Sequence, residues 1–409
     1  MSKIANPGSA PPPTSLGMAR LTAMAFRGEP LTRPALTLLE RINTDPDDAA
    51  AMLDLGTLHM LMGQGQAGLT YQAMALSKQR LYSDGTAGQG DGGVRLLAFA
   101  APGDLMANVP IPFLVENSDI RLDVMYVVPG QELPATVPDH DLAMVIVGES
   151  DENRPILERI AGFVGQWPRP VLNDPRRVLG LSRDGVSALL AGAEGICIPA
   201  TACVDHASLE RLSRGEVPLT SLVADGAFPI ILRPRDSHAG KGLAKLDEAA
   251  AIAGYLAEQR SDHYYLSSFV DYSGADGLFR KYRIALIEGR PFVCHMAVSG
   301  RWMVHYLNAD MKDSQAKRDE EAQAFASFDQ DFASRHEGAF QTLAARVGLD
   351  YFAIDCAETR DGRLLLFEVD TAMIVHAMDS PDLFPYKPPQ MRRIFRAFQE
   401  MLRVRAGKA

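Results

Sequence analysis

The chain has 409 residues, 47% of them hydrophobic, with a formal net charge of −10 and a pI near 5.4. This length predicts two or three domains with sizeable cores. The acidic balance argues against a nucleic-acid-binding surface. Because no apolar run reaches the roughly 18 residues that a transmembrane helix needs, we expect no membrane span.

The N-terminal stretch and the cysteines both indicate the compartment. Residues 1–15 are rich in Pro and Ser and lack an apolar core, so we predict a disordered lead-in rather than a secretory signal. The four cysteines show no CxxC spacing and lie in apolar surroundings. Reduced thiols in a cytoplasmic protein fit this pattern best.

Helical spacing dominates residues 16–83. One helix opens after Pro46-Asp47-Asp48 and ends near Gly63, and a second follows it. Gly56, Gly63 and Ala67 are small where the two antiparallel helices would touch. The pair resembles a single tetratricopeptide-like repeat, which cannot form a solenoid alone. We therefore expect a helical cap that could dock a peptide or carrier chain, or support a homodimer.

The Gly-rich segment 82–93 predicts a domain boundary, and residues 94–174 follow it with alternating strands and helices. This alternation predicts a parallel α/β sheet. The loop 101–110 follows the first strand and could touch a substrate, although a plain connecting loop fits equally well. GxGxxG is absent, which argues against a dinucleotide site. The predicted strands are 95–100, 122–128, 142–147 and 170–172, and the predicted helix is 155–165.

Residues 175–409 carry the candidate chemistry, beginning with a helix over 182–190 and a short strand over 195–201. The strand 228–235 ends in two arginines and is followed by the loop SHAGKG. Backbone N–H groups of a Gly-rich loop can approach phosphates closely, and Lys241 adds positive charge. The Walker pattern GxxxxGK[ST] is absent. An ordinary glycine turn would look the same.

A hairpin around Glu288-Gly289 is predicted next, and alternation places Lys281 and Arg283 on one face of its first strand. These two cations could form a solvated edge, or they could face an anion. Residues 302–308 predict a further strand. Helices are expected over 317–347 and 388–404.

A second hairpin is predicted where Asp361-Gly362 separates two apolar runs. In the register of a two-residue turn, Asp355 lies across from Glu368, and Asp370 shares the face of Glu368. Opposed like charges destabilise a sheet, and a divalent cation would remove that cost. Hard carboxylate oxygens suit Mg²⁺ or Mn²⁺. The alternative is a solvated hairpin face with incidental acids.

The order of these parts over roughly residues 94–379 resembles the ATP-grasp ligases, closest to the RimK-like and glutathione-synthetase-like branches. The resemblance implies an α/β protein: a parallel pre-ATP-grasp domain over 94–174, then a two-lobed ATP-grasp domain over 175–409 with antiparallel sheets. The small lobe would span about 195–270 and the large lobe about 271–405. The family binds ATP between its lobes.

The resemblance also implies residue roles. It implies that Arg283 steadies the transferring phosphoryl group and that Asp355, Glu368 and Asp370 bind Mg²⁺ or Mn²⁺. Arg233 stands where the family more often has Lys, and Asp370 stands where it usually has Asn. The implied ATP-binding residues are Arg233, Arg235, Ser237, His238, Gly240, Lys241, Gly242, Leu266, Ser267, Ser268, Phe269 and Lys281.

The activity that the resemblance implies is ATP-dependent ligation of a carboxylate to an amine through an acyl phosphate. The substrates would be small molecules or peptides, and the cofactors ATP and Mg²⁺ or Mn²⁺. An alternative from another class is a helical-repeat interaction protein whose ATP-grasp module senses nucleotide without ligation. Substrate-dependent release of ADP would distinguish the two.

Overall fold

The computed structural model describes residues 14–85, 93–235, 237 and 240–408. The helices are α1 Met18–Phe26, α2 Thr32–Thr44, α3 Ala49–Leu61, α4 Gly65–Lys78, α5 Ile111–Val115, α6 Arg154–Phe163, α7 Pro175–Val178, α8 Arg183–Leu190, α9 His206–Ser213, α10 Ala251–Glu258, α11 Gln315–Ser327, α12 Phe332–Arg335, α13 Glu337–Val347 and α14 Lys387–Arg405. The strands are β1 Thr14–Ser15, β2 Leu81–Asp84, β3 Arg95–Ala100, β4 Arg121–Tyr126, β5 Leu142–Val145, β6 Val171–Leu172, β7 Ile196–Cys197, β8 Thr201–Asp205, β9 Ile230–Pro234, β10 Ala244–Leu246, β11 His263–Ser268, β12 Phe279–Ile287, β13 Arg290–Ser299, β14 Tyr351–Glu358 and β15 Leu364–Asp370.

Among the described residues, the first compact unit is built on a six-stranded sheet in the order β1-β2-β4-β3-β5-β6. β3 pairs parallel with β4 and β5, and β5 pairs parallel with β6. The strand β3 is almost wholly apolar and buried, as expected for a parallel strand covered on both faces. The predicted parallel α/β sheet is thereby confirmed.

Two predicted boundaries, the end of the disordered lead-in and the start of the Gly-rich linker, differ from the structure at the edge of this sheet. Thr14 and Ser15, expected in the disordered lead-in, pair parallel with β2, and β2 pairs antiparallel with β4. The earlier lead-in residues 1–13 and most of the predicted Gly-rich linker, 86–92, lie outside the described residues. The helical region and the α/β region therefore belong to one compact unit, because β2 continues the same sheet.

The helices α3 and α4 pack against each other as the sequence predicts, at Gly56 as expected and at Gly68, which was not predicted. A Cβ on Gly56 would lie 2.9 Å from the Gly68 carbonyl oxygen, and one on Gly68 would lie 2.7 Å from the Gly56 oxygen. Only glycine permits this approach. Asp48 caps α3 by accepting the Ala51 N–H at 2.9 Å. The two helices share a core with Tyr82 of β2, which ties them to the sheet.

The C-terminal boundary also differs from the prediction. Residues 349–352 and those from Asp370 onward belong to the first compact unit rather than to an ATP-grasp lobe. The aromatic rings of Tyr351 and Phe398 meet edge to face at 5.1 Å, and the Gln399 side chain donates to the Leu114 carbonyl. The apolar face of α14 is thus buried within the first unit. These contacts account for its assignment to that unit.

The second compact unit comprises Gly180–Gly348 and Ala353–Val369. Its smaller sheet, in the order β10-β9-β11-β8, is antiparallel throughout its described pairings. Its larger sheet has the order β13-β12-β14-β15-β7. The single strand predicted over 195–201 is instead two strands, β7 and β8, which belong to different sheets. The expectation of antiparallel sheets is confirmed, with β7 parallel to β15 as an addition.

The hairpin β12–β13 forms as predicted. Glu288 and Gly289 both have positive φ, 48° and 78°, as a tight two-residue turn requires. The strand predicted over 302–308 is wrong: this segment is irregular and ends in a 3-10 helix, Tyr306–Asn308. Its backbone bonds locally, for example from the His305 N–H to the Asn308 side chain at 3.0 Å. Within the described residues, no helix is long and apolar enough to cross a membrane.

Candidate active site

The loop joining β14 to β15 is one residue longer than predicted. The Thr359 N–H donates to the Arg363 carbonyl at 3.0 Å, and the Gly362 N–H donates to the Thr359 carbonyl at 2.9 Å. Gly362 has a φ of 80°, which suits the left-handed position that ends a three-residue hairpin loop. The two-residue turn was therefore wrong, and the cross-strand register counted from it has no support.

Asp355 of β14 is a buried carboxylate with a relative exposure of 3%. Arg283 of β12 donates to both of its oxygens, Nε to Oδ1 at 2.9 Å and Nη2 to Oδ2 at 3.2 Å. The Lys281 ammonium lies 2.6 Å from Oδ2. Burial raises the pKa of Asp355, but the charges of Arg283 and Lys281 outweigh it and hold the pKa well below its usual range. Asp355 is therefore ionised.

Arg283 is correspondingly locked in its charged form. Burial lowers the pKa of the guanidinium, whereas Asp355 raises it by charge and by hydrogen bonding, and the net shift is upward. The alternation that placed Lys281 and Arg283 on one strand face holds, since both meet the same carboxylate. These two cations are thus not a solvated edge.

Glu368 of β15 pairs with Arg183, a residue that the sequence analysis did not single out. The Arg183 Nη2 lies 2.5 Å from Glu368 Oε1. Burial raises the pKa of Glu368, Arg183 lowers it, Asp355 raises it, and Arg233 and Lys281 lower it further, with a net downward shift. Glu368 therefore lies within electrostatic reach of the Asp355 cluster.

Arg233 of β9 faces the same cluster and holds the start of the glycine loop. Its guanidinium donates to the Ser237 carbonyl and, from Nε, to the Ser237 hydroxyl at 3.2 Å. Burial and the charge of Arg183 lower the pKa of Arg233 to about 10, so it remains charged at neutral pH. Ser237 is buried and in turn donates to the Pro234 carbonyl at 2.8 Å. In this structure Ser237 orients Arg233.

The remainder of the glycine loop is described only in part, since Asp236, His238 and Ala239 lie outside the described residues. Gly240 and Gly242 both have positive φ, 75° and 68°. A Cβ on Gly242 would lie 2.7 Å from Pro234 Cδ, so glycine is required there. Lys241 between them is exposed. Its phosphate contact remains a prediction.

The segment 266–269, which the resemblance implies as ATP-binding, lies mostly in the interior of a sheet. Leu266, Ser267 and Ser268 lie in β11, which has β9 and β8 as its two neighbours. Leu266 is fully buried in the core, and the Ser268 hydroxyl accepts the Ala227 N–H at 2.9 Å. Phe269 follows the strand, and its ring is the part of this segment that reaches a cavity.

That cavity, about 570 Å³ in volume, lies in the second unit. Its walls include Phe269, Phe279 and Trp302 together with Lys245 and Asp271. The rings of Phe269 and Trp302 meet edge to face at 5.8 Å, and the Lys245 ammonium lies 4.6 Å from the Phe269 ring centre. No local sequence pattern indicates the cavity, because its walls come from distant segments.

For two further predicted site residues, Asp370 and Arg235, the structure gives local hydrogen bonds. Asp370 ends β15, and its Oδ1 accepts the Ala372 N–H at 2.8 Å, which fixes the turn after the strand. Asp370 belongs to the first compact unit, whereas Asp355 and Glu368 belong to the second. Arg235 lies just beyond β9, with its backbone N–H bonded to the His263 carbonyl at 3.0 Å. Their roles remain predictions from the sequence.

The carboxylates suit magnesium by their chemistry, since hard oxygen atoms are the donors it prefers. Among the residues that the structure describes, however, no three His, Cys, Asp or Glu side chains are grouped so that they could hold a metal ion. Arg183, Lys281 and Arg283 instead neutralise the acids. The repulsion that a metal was expected to relieve is thus already relieved, and a metal would have to displace a protein cation.

Comparison with known proteins gives no matching family model and no matching curated protein. Several solved structures are similar. A RimK domain ATP-grasp protein from Sphaerobacter thermophilus is 15% identical, with 75% of this chain and 99% of that chain covered and a TM-score of 0.41. The VanG D-Ala:D-Ser ligase from Enterococcus faecalis is 13% identical, with coverages of 77% and 99% and a TM-score of 0.44. The D-alanine–D-alanine ligase from Bacillus anthracis, complexed with ATP, is 11% identical, with coverages of 78% and 100% and a TM-score of 0.44.

Proposed function

We propose that this chain is an ATP-dependent carboxylate–amine ligase that forms an amide or peptide bond and releases ADP and phosphate. The observation that carries the proposal is the buried cluster in which Arg283 and Lys281 meet Asp355. A partly buried guanidinium fork, held by two hydrogen bonds, and an ammonium group beside it form an arrangement suited to steadying a transferring phosphoryl group.

The charge balance of the cluster supports an anionic ligand. Four cations, Arg183, Arg233, Lys281 and Arg283, lie in the electrostatic field of the two carboxylates Asp355 and Glu368. A triphosphate carries the complementary charge.

The cavity beside Phe269 supports a nucleoside at the same site. Its volume of about 570 Å³ falls within the range typical of small-ligand sites, roughly 300–1,000 Å³. Aromatic rings from Phe269, Phe279 and Trp302 offer apolar surface for a flat base. Lys281 follows Phe279 by two positions on β12, so the cavity and the cation cluster share one strand face.

In the proposed reaction, a substrate carboxylate oxygen attacks the γ-phosphorus while the bond to the β-phosphate oxygen breaks, giving an acyl phosphate and ADP. An amine nitrogen then attacks the acyl carbon, and phosphate departs as the amine loses a proton. Arg283 and Lys281 oppose the negative charge on the phosphoryl oxygens, and Asp355 holds both cations in place. Magnesium bound with the nucleotide would supply additional charge neutralisation. The assignment of Asp355, Glu368 and Asp370 as its ligands stays a prediction from the sequence.

Incubation with ATP, Mg²⁺ and pooled carboxylic acids and amines tests the proposal. The ligase yields ADP only when a suitable acid is present, and mass spectrometry of a native metabolite extract then identifies the amide. A nucleotide-sensing interaction protein would bind ATP and release no ADP with any of the pools of acids and amines. Docking of a peptide or carrier on the N-terminal helices, or a homodimer formed there, remains a prediction of the sequence.

A further inference from the structure

Tyr272 lies in the connection between β11 and β12, behind the wall of the cavity. Phe269, Asp271 and Ser273 of this connection line the cavity, whereas Tyr272 is not among the lining residues. Tyr272 is buried, with an exposure of 6%. Side chains of extended backbone alternate in direction, which accounts for positions 271 and 273 lining the cavity while the residue between them is buried.

Tyr272 contacts two walls of the cavity from behind. Its hydroxyl donates to the main-chain carbonyl of Trp302. Its ring meets the ring of Phe279 edge to face, with the two ring centres 4.9 Å apart. Phe279 belongs to β12 and Trp302 to the segment 300–308. One side chain thus joins two walls that come from different parts of the chain.

The position of the Trp302 wall depends on such contacts, because its backbone is irregular. Segment 300–308 forms bends and irregular backbone up to the 3-10 helix Tyr306–Asn308. Backbone with few hydrogen bonds of regular structure opens at a low cost in free energy, so single hydrogen bonds decide where it lies. Burial raises the pKa of Tyr272 well above its usual range. The hydroxyl therefore stays protonated and remains a donor.

The ring of Tyr272 also extends toward the cation cluster. The ring of Phe367 in β15 lies 5.0 Å from it, centre to centre. The Lys281 ammonium lies 5.9 Å from the centre of the Phe367 ring and 2.6 Å from Asp355 Oδ2. Tyr272 therefore lies between the cavity proposed for the base and the cluster proposed for the phosphates. Its contact with Phe367 involves only the ring, so this contact persists when the hydroxyl alone is removed.

We propose that Tyr272 is a positioning residue for the nucleoside part of the nucleotide, and that its hydroxyl holds the Trp302 wall where a base requires it. This inference rests on the proposed nucleotide site. A wall that is held before the ligand arrives raises affinity, because binding need not then order it. Without the hydroxyl, the Trp302 carbonyl loses this donor and the wall can shift. The loss falls on the base alone, since a bare polyphosphate meets the cation cluster and not the cavity.

Isothermal titration of the full chain with two ligands tests the inference. The ligands are a non-hydrolysable ATP analogue and inorganic tripolyphosphate, each in the presence of Mg²⁺, and Tyr272→Phe is compared with wild type. Tyr264→Phe is the matched control, because the buried Tyr264 hydroxyl donates to the Gln259 carbonyl at 2.6 Å in the same unit and does not line the cavity. We expect Tyr272→Phe to bind the ATP analogue roughly five- to tenfold more weakly and tripolyphosphate as wild type does. Tyr264→Phe should match wild type with both ligands.

The two ligands distinguish positioning from a merely structural role. Equal losses for both ligands, no loss for either, or an equal loss in Tyr264→Phe overturns the inference. So does a wild type that binds the ATP analogue no more tightly than tripolyphosphate. If Tyr272→Phe does not fold, hydrogen exchange of wild type decides. The ATP analogue alone should then slow exchange across 300–308, and equal slowing by both ligands overturns the inference.

The ligase proposal fails by a different result. Binding as expected, without ADP release from any of the pools of acids and amines, refutes the ligase reaction and leaves the role of Tyr272 standing. Substrate-dependent ADP release together with equal losses for both ligands leaves the ligase standing and overturns the role of Tyr272.

Discussion

Arg283 of β12 donates two hydrogen bonds, at 2.9 and 3.2 Å, to the carboxylate of Asp355 of β14 inside the second compact unit. The fork needs the planar guanidinium, because an ammonium group cannot span both oxygens. Asp355 thereby orients the guanidinium of Arg283 as well as neutralising its charge. The geometry of the proposed phosphoryl-transfer step depends on this pair.

Arg283→Lys should lower turnover roughly tenfold or more, with a smaller effect on ATP affinity, because the guanidinium acts mainly on the transferring group. Steady-state kinetics of substrate-dependent ADP release measure both effects. Arg290→Lys, at the exposed start of β13 in the same hairpin, is the control and should behave like wild type. Equal kinetics for both variants would demote Arg283 to a structural residue.

Gly242→Ala should weaken nucleotide binding by displacing the glycine loop. The added Cβ would lie 2.7 Å from Pro234 Cδ at a φ of 68°. Gly215→Ala introduces a comparable φ strain, at 71°, with no neighbour within 4 Å, so it isolates the steric effect. Titration with a non-hydrolysable ATP analogue should show several-fold weaker binding for Gly242→Ala alone. Matching affinities would separate the loop from the nucleotide site.

Trp302 offers a direct optical probe of the cavity. The chain has two tryptophans, and the other, Trp167, donates to His140 in the first unit. In a Trp167→Phe background, ATP or ADP should change the Trp302 emission in a saturable way, because a base beside the ring alters its surroundings. Phe269→Ala should weaken this response by removing a wall of the cavity. Emission unaffected by saturating nucleotide would place the base elsewhere.

Asp54 predicts a pH-dependent stability in the first unit. This carboxyl of α3 is 2% exposed and accepts the Leu16 N–H at 2.7 Å. Burial raises its pKa from 3.8 to about 7, against the lowering effect of backbone hydrogen bonds from Leu16 and Gly17. Because the folded state holds the proton more tightly, this contribution is fully present below pH 4 and is lost as the pH rises through 7.

Asp54→Asn removes the titration while keeping an acceptor for the Leu16 N–H. Its melting temperature should therefore exceed that of wild type by an increasing margin between pH 5 and pH 8. Asp47→Asn, at a carboxylate whose side chain is 85% exposed, is the control for loss of a charge. If the melting temperatures of wild type and Asp54→Asn instead change in parallel across this pH range, Asp54 is ionised in the folded chain and the prediction is wrong.

The parts of the structure that the sequence predicted well are those with strong local signals. Glu288-Gly289 specified the β12–β13 turn, because both positions need positive φ. Asp361-Gly362 located the second hairpin but not its loop length, since the same dipeptide also ends a three-residue loop. One residue of difference changes the facing pairs along both strands.

The parts that the sequence missed depend on long-range contacts. Arg183 has no local signal that pairs it with Glu368, because β15 follows it by 185 positions. Of the three candidate acids, Asp355 and Glu368 lie within each other's electrostatic field. The sequence pattern did not indicate that Arg183, Lys281 and Arg283 would pair with them. The domain boundary predicted over 82–93 begins inside β2, which joins the sheet by backbone pairing with β4.

The most direct test of the ligase reaction follows a single oxygen atom. The acid found active in the pooled assay is labelled with ¹⁸O in its carboxylate, and the released phosphate is analysed by mass spectrometry. Attack of the carboxylate on the γ-phosphorus predicts one ¹⁸O in each phosphate and one amide for each ADP. Phosphate carrying only solvent or ATP oxygen would mean that water attacks instead, and would contradict the ligase assignment.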